Sequence, residues 1–121
     1  MIEITIPGNP ATKKNSSEIH INSKTGQRFV APSTRFKEYQ DMALWFVPRM
    51  EIDYPVNIKC VYYRETKARV DLTNLLEATD DILVKGGTIK DDDWRIVAGH
   101  DGSRVLFDKA NPRVEITIER M

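Results

Sequence analysis

The sequence predicts an α+β domain: a mixed β-sheet with two main helices packed on it. Three observations carry that expectation. Ile2, Ile4 and Ile6 alternate with Glu3 and Thr5, and Val114, Ile116 and Ile118 alternate with Glu115 and Thr117, the period-two pattern of half-buried strands. Val56 to Tyr63 is rich in β-branched and aromatic residues, as a central strand is. Leu72, Leu75, Leu76, Ile82 and Leu83 recur at helical spacing. A chain of 121 residues falls in the size range of one domain, here taken as 1–121.

In order along the chain, Pro7-Gly8 ends the first strand and residues 8–17 form a polar loop holding Lys13 and Lys14. Ile19-His20-Ile21 and Gln27-Arg28-Phe29-Val30 flank Asn22-Ser23-Lys24-Thr25-Gly26, the pattern of a β-hairpin with a glycine-containing loop. Ser33 is a good N-cap for a helix through Tyr39, Leu44 and Trp45, which Pro48 limits. The second helix takes Asp71 as N-cap, and Gly86-Gly87 supplies its left-handed stop. Asp91-Asp92-Asp93 forms an acidic turn before a strand beginning near Trp94-Arg95-Ile96-Val97, with Asp101-Gly102 a turn within or after it. Pro112 introduces the last strand. The expected element order is β-β-β-α-β-α-β-β.

Composition narrows the function classes. With 40% apolar and 30% charged residues the chain reads as an ordinary soluble globular protein. The N-terminus has no cationic stretch before an apolar one, and Met42 to Val47 is too short an apolar run to span a bilayer, so a cytoplasmic location and no membrane partner are expected. Cys60 stands alone, which excludes an intrachain disulfide. One cysteine with His20 and His100 does not make a four-ligand zinc site, so any metal would be held by carboxylates, which suit Mg²⁺ or Mn²⁺.

A net charge of zero conceals an uneven distribution. Residues 1–40 carry six bases and three acids, net +3, whereas residues 71–93 carry seven acids and two bases, net −5. A basic segment beside an acidic cluster fits a polyanion cut with the help of a bound cation; scattered surface charge would produce the same count. Asp71, Asp91 and Asp92 are the candidate ligands. They stand on either side of one helix and converge only if the acidic turn folds back along it or another chain contributes. Taken singly, Asp71 also suits an N-cap, the triple Asp a solvated turn, and Asp80 and Asp81 an exposed helix face or a local hydrogen bond.

Arg69-Val70-Asp71-Leu72-Thr73-Asn74-Leu75, then Asp81-Ile82-Leu83, then Gly87-Thr88-Ile89-Lys90-Asp91-Asp92, resembles the core of the RusA-type Holliday junction resolvases. That family shows a D-x-D-N-L helix start, an Asp ahead of an apolar pair in the same helix, and a D-D pair after a glycine loop. Ile6-Pro7-Gly8-Asn9-Pro10, with Lys13-Lys14 following, is similar to its first loop. The resemblance implies a RusA-like fold and a Mg²⁺-dependent endodeoxyribonuclease. Such an enzyme binds four-way DNA junctions as a homodimer and resolves them by paired nicks in recombination and repair. It implies no further protein partner, and such small proteins are frequent in phages and prophages. By match, Asp71 is the motif's first Asp, Asn74 its Asn, and Asp91 and Asp92 the later pair.

Two positions depart from the pattern: the motif's second Asp is Thr73, and the Lys four positions later is Glu77. Residues at i and i+4 lie one above the other on a helix, so Glu77 could return the missing carboxylate to nearly the same place, with Thr73 adding a hydroxyl. Glu77 is therefore taken as a metal ligand beside Asp71, Asp91 and Asp92. Lys13, Lys14, Lys67 and Arg69 are the expected phosphate contacts, which give affinity without reading sequence. Phe29 and Tyr39 could stack on an opened junction, although a core role suits them better. Two alternatives stay open: a DNA-binding protein of the same fold that has lost cleavage with its second Asp, and a non-nuclease interaction module with acidic surface turns.

Overall fold

A computed structural model describes residues 1–13, 17–21, 24–26, 28–32 and 34–121, with side chains described outside 14–23 and 27–33. Among the described residues, seven strands and two helices follow one another as β1 (Ile2–Pro7), β2 (Ser17–Ile21), β3 (Arg28–Pro32), α1 (Thr34–Ala43), β4 (Val56–Arg64), α2 (Leu72–Lys85), β5 (Val97–Gly99), β6 (Arg104–Phe107) and β7 (Arg113–Arg120). The α+β class with a mixed sheet and two helices is as the sequence predicts. β2 and β3 pair antiparallel as a separate two-stranded ribbon. The predicted cap Ser33, Lys14 and the side chains of Arg28 and Phe29 lie outside the described residues.

The main sheet runs β1-β7-β4, with β7 antiparallel to both neighbours, and β5 and β6 complete it beyond β4. Its register aligns the apolar alternation across strands. Ile4, Ile116 and Cys60 stand in one row and Ile6, Val114 and Tyr62 in the next, all buried. A one-residue slip would turn the whole set to the opposite, polar face, so this alternation specifies the pairing. Leu75, Ala78, Ile82 and Leu83 on the buried stripe of α2 join the same core. Buried Cys60, its thiol pushed up to about 12 by desolvation, is a packing residue without thiolate reactivity.

Tyr62 ties α2 to the sheet. Its hydroxyl donates to the Leu75 carbonyl at 3.0 Å and lies 2.6 Å from Thr79 Oγ1, which itself donates to the Leu75 carbonyl. Tyr62→Phe leaves the ring in place but strands part of this buried network. A loss of about 1 kcal/mol is expected, read as a lower denaturant midpoint at unchanged m-value.

The sequence expectation is corrected in three places. α1 ends at Ala43 instead of reaching Trp45, because the chain tightens there: Trp45 N–H donates to the Met42 carbonyl and Phe46 N–H to that of Ala43. Trp45 is then 87% exposed. Trp94 to Ile96 is a turn and not the start of a strand, since Asp93 accepts from the Arg95 backbone and guanidinium and its carbonyl accepts from Ile96 and Val97. Two short strands, β5 and β6, stand where one was expected. Both pair parallel with β4, at its first and second halves respectively, and Asp101-Gly102 turns between them.

Gly86 and Gly87 end α2 as expected, by different means. Gly87 takes the left-handed conformation at φ +77°, while Gly86 is helical but a Cβ on it would stand 2.5 Å from buried Val47. Beyond them the chain docks on 50–52: Lys90 N–H donates to the Ile52 carbonyl, Ile52 N–H to that of Thr88, and Thr88 Oγ1 to that of Pro48. These bonds hold the start of the acidic turn. No described helix is long and apolar enough to cross a membrane.

Candidate active site

The acidic turn acts electrostatically on the middle of α2. The charge of Asp92 is felt at both Asp80 and Asp81, and that of Glu77 at Asp81. Glu77, Ala78, Asp81 and Asn74 line a hollow of about 20 Å³, room for one water-sized occupant, and Lys13 closes its rim. Lys13 Nζ lies 4.0 Å from Asp81 Oδ2 and 5.7 Å from the centre of the Phe36 ring. The first loop thus brings a cation to the acidic face. Burial pushes the Asp81 carboxyl above its ordinary range; Lys13 opposes that rise, and the like charges of Asp92 and Glu77 add to it.

The other predicted residues lie apart from this cluster. Asp71 occupies the N-cap position without a side-chain cap bond; Asn74 Nδ2 lies 3.5 Å from its Oδ2. Asp81 stands ten positions after Asp71, about 15 Å along the helix axis. Asp91 faces its own turn, where Oδ1 accepts from Asp92 N–H at 2.8 Å and its charge acts on Arg95. Thr73 is exposed on the outer face of α2. Among the described residues no group of three or more His, Cys, Asp or Glu side chains is placed to hold a metal ion. Lys67 and Arg69 are exposed just before α2, and neither is ion-paired among the described residues.

Asp80 is a further correction to the sequence expectation, because it is buried and not on an exposed face. Its Oδ2 lies 2.9 Å from His100 Nε2, and His100 Nδ1–H donates to the Ile58 carbonyl at 2.8 Å. The hydrogen bond to Asp80 raises the His100 pKa above its ordinary 6.5. Burial raises that of Asp80 more than His100 lowers it, so the pair keeps a proton between its facing atoms. The outer oxygen, Asp80 Oδ1, is buried with no hydrogen-bond partner. His100 stands twenty positions after Asp80, and only the pairing of β4 with the chain around β5 joins them; no local pattern announces the dyad.

Oxygen-only donors of this kind fit a hard divalent cation, which takes one or two protein carboxylates and keeps several waters. Comparison with known protein families and with characterised proteins gave no match.

Proposed function

We propose that this chain is a Mg²⁺-dependent endodeoxyribonuclease that cuts branched DNA, a homodimeric Holliday junction resolvase of the RusA type. The observation that supports it most is the acidic face of α2, where Glu77 and Asp81 line one hollow with Asn74 and Lys13 and the charge of Asp92 adds to that of Glu77 at Asp81. Asp92 and Glu77 would hold the cation, with Asp81 adjacent and Asp71 and Asp91 assigned by their match to the family motif. A cation held there would polarise the scissile phosphate and lower the pKa of an attacking water. Asn74 lines the same hollow, and its amide links it to Asp71 at the start of α2. Lys67 and Arg69, exposed and without ion pairs among the described residues, suit the approaching backbone. Two sites are required for paired nicks across a near-two-fold junction, hence the dimer.

The test is cleavage of a labelled four-way junction in Mg²⁺ or Mn²⁺ beside a linear duplex. Symmetric nicks confined to the junction support the proposal, whereas tight junction binding with no nick in either metal overturns it. The latter outcome would select a silent binder, the reading that Thr73 and the distance of Asp71 from Asp81 favour. A melting titration adds a check: a cation binding the folded site alone at about 100-fold its Kd stabilises by about 2.7 kcal/mol. Mg²⁺ is therefore expected to raise Tm in wild type, and much less in Glu77→Gln.

A further inference from the structure

The outer edge of β6 and the segment 64–70 enclose an open groove of about 370 Å³, within the roughly 300–1,000 Å³ of ligand clefts. Its lining includes three cations, Arg64, Lys67 and Arg69, and no acid. None of the three is ion-paired among the described residues. Arg64 Nη1 donates to the Ala68 carbonyl at 2.7 Å, and Arg64 Nε has no partner. Beside these cations Phe107 is 49% exposed, with Lys67 Nζ 5.2 Å from its ring centre.

An aromatic ring left open at the end of an edge strand, in a groove lined by positive charge alone, has the chemistry of a stacking platform. A base within a duplex is already stacked on both faces and has none to offer; an unpaired base has. The exposed cation–π contact of Lys67 is weak enough to exchange, so a base can take the ring while the ammonium moves to a phosphate. Acidic peptides would suit the charge, but they would leave the ring without a flat partner.

We infer that this groove binds an unpaired nucleic-acid strand, a base stacked on Phe107 and phosphates on Lys67 and Arg69. The inference rests on the proposed nuclease function for taking that strand to be DNA. Arg69 stands two residues before Asp71, so a strand held here leads to the start of α2. Unpaired bases at the crossover of an opened junction are the form in which such a strand would arrive.

Fluorescence anisotropy with labelled oligothymidylate, beside a duplex of equal length, tests this directly. Phe107→Ala is expected to weaken oligothymidylate binding roughly 5- to 100-fold and duplex binding far less. Phe107→Trp is expected to keep the affinity and to show indole quenching beyond that of wild type. Lys67→Gln should lessen the slope of log K against log salt by about 0.7. Wild-type affinity in Phe107→Ala, its Tm confirming the fold, would overturn the proposal; so would a wild-type protein that ignores oligothymidylate at low salt. Loss of self-association in Phe107→Ala without any effect on oligonucleotide binding would instead make this edge a protein interface. Phe107-dependent binding by a protein that never nicks a junction upholds the groove and removes the nuclease. Junction cleavage with a Phe107→Ala variant that binds like wild type does the reverse.

Discussion

Asp92→Asn is expected to lower Mg²⁺-dependent junction cleavage by about 100-fold or more, because a metal-held charge supplies several kcal/mol of transition-state stabilisation. The same substitution should leave Tm within a few degrees of wild type. Asp92 is exposed, and a surface substitution of this kind stays within about 0.5 kcal/mol. Its charge also opposes those of Asp80 and Asp81, so its removal relieves repulsion. Asp91→Asn is expected to be the milder change, since Asp91 caps its own turn and faces Arg95. Glu77→Gln separates the remaining possibilities. A large loss of cleavage would make Glu77 the substitute for the motif's second Asp, and a wild-type rate would return it to the solvated surface. Single-turnover rates on the junction, with melting curves for each variant, read all three.

His100→Ala is expected to be the most destabilising polar substitution in the molecule, at about 2–4 kcal/mol. For a chain of this size that is on the order of 10 °C in Tm. Removing the imidazole leaves Asp80 buried with neither oxygen partnered and frees the Ile58 carbonyl in the middle of β4. Asp80→Ala in the same background should recover part of the loss, because the uncompensated carboxylate goes with it. The dyad also makes stability depend on pH. His100 has a folded pKa above its unfolded 6.5, so its contribution is complete below pH 6.5 and is lost as pH rises through the folded value. Asp80 is raised as well, so ionising it weakens the fold in the same direction. Denaturation midpoints should therefore fall from pH 6 toward pH 8.5 in wild type, and much less in His100→Ala. A flat wild-type profile would mean that the pair carries no extra proton in the folded state.

The strands and α2 were legible because each follows from a pattern within a few residues. Ile2, Ile4 and Ile6 alternate, and so do Val114, Ile116 and Ile118; α2 follows its helical period from Leu72 and stops at Gly86-Gly87. The misread places are those where a local signal met a tertiary demand. Trp94 and Ile96 look like strand residues, yet Asp93 holds them in a turn through its bonds to Arg95. Asp101-Gly102 resembles a hairpin turn, yet the strands on either side run parallel to β4 at successive positions along it. Asp80 has the composition of an exposed helix residue, yet the helix face it occupies is buried against His100.

For the site, the chain's own order already held the residue types: carboxylates on and after one helix, cations before it, and too few cysteines and histidines for a four-ligand zinc site. Their grouping was decided in three dimensions. The charge of Asp92 acts on Asp80 and Asp81; Lys13 crosses from the first loop to Asp81; Asp71 stays at the N-terminal end of the helix. Local periodicity determines which face of an element is apolar, because it depends only on backbone geometry. Which charges meet depends on how separate elements dock, as Lys90 on Ile52 and Tyr62 on Leu75 show, and no spacing along the chain encodes that distance.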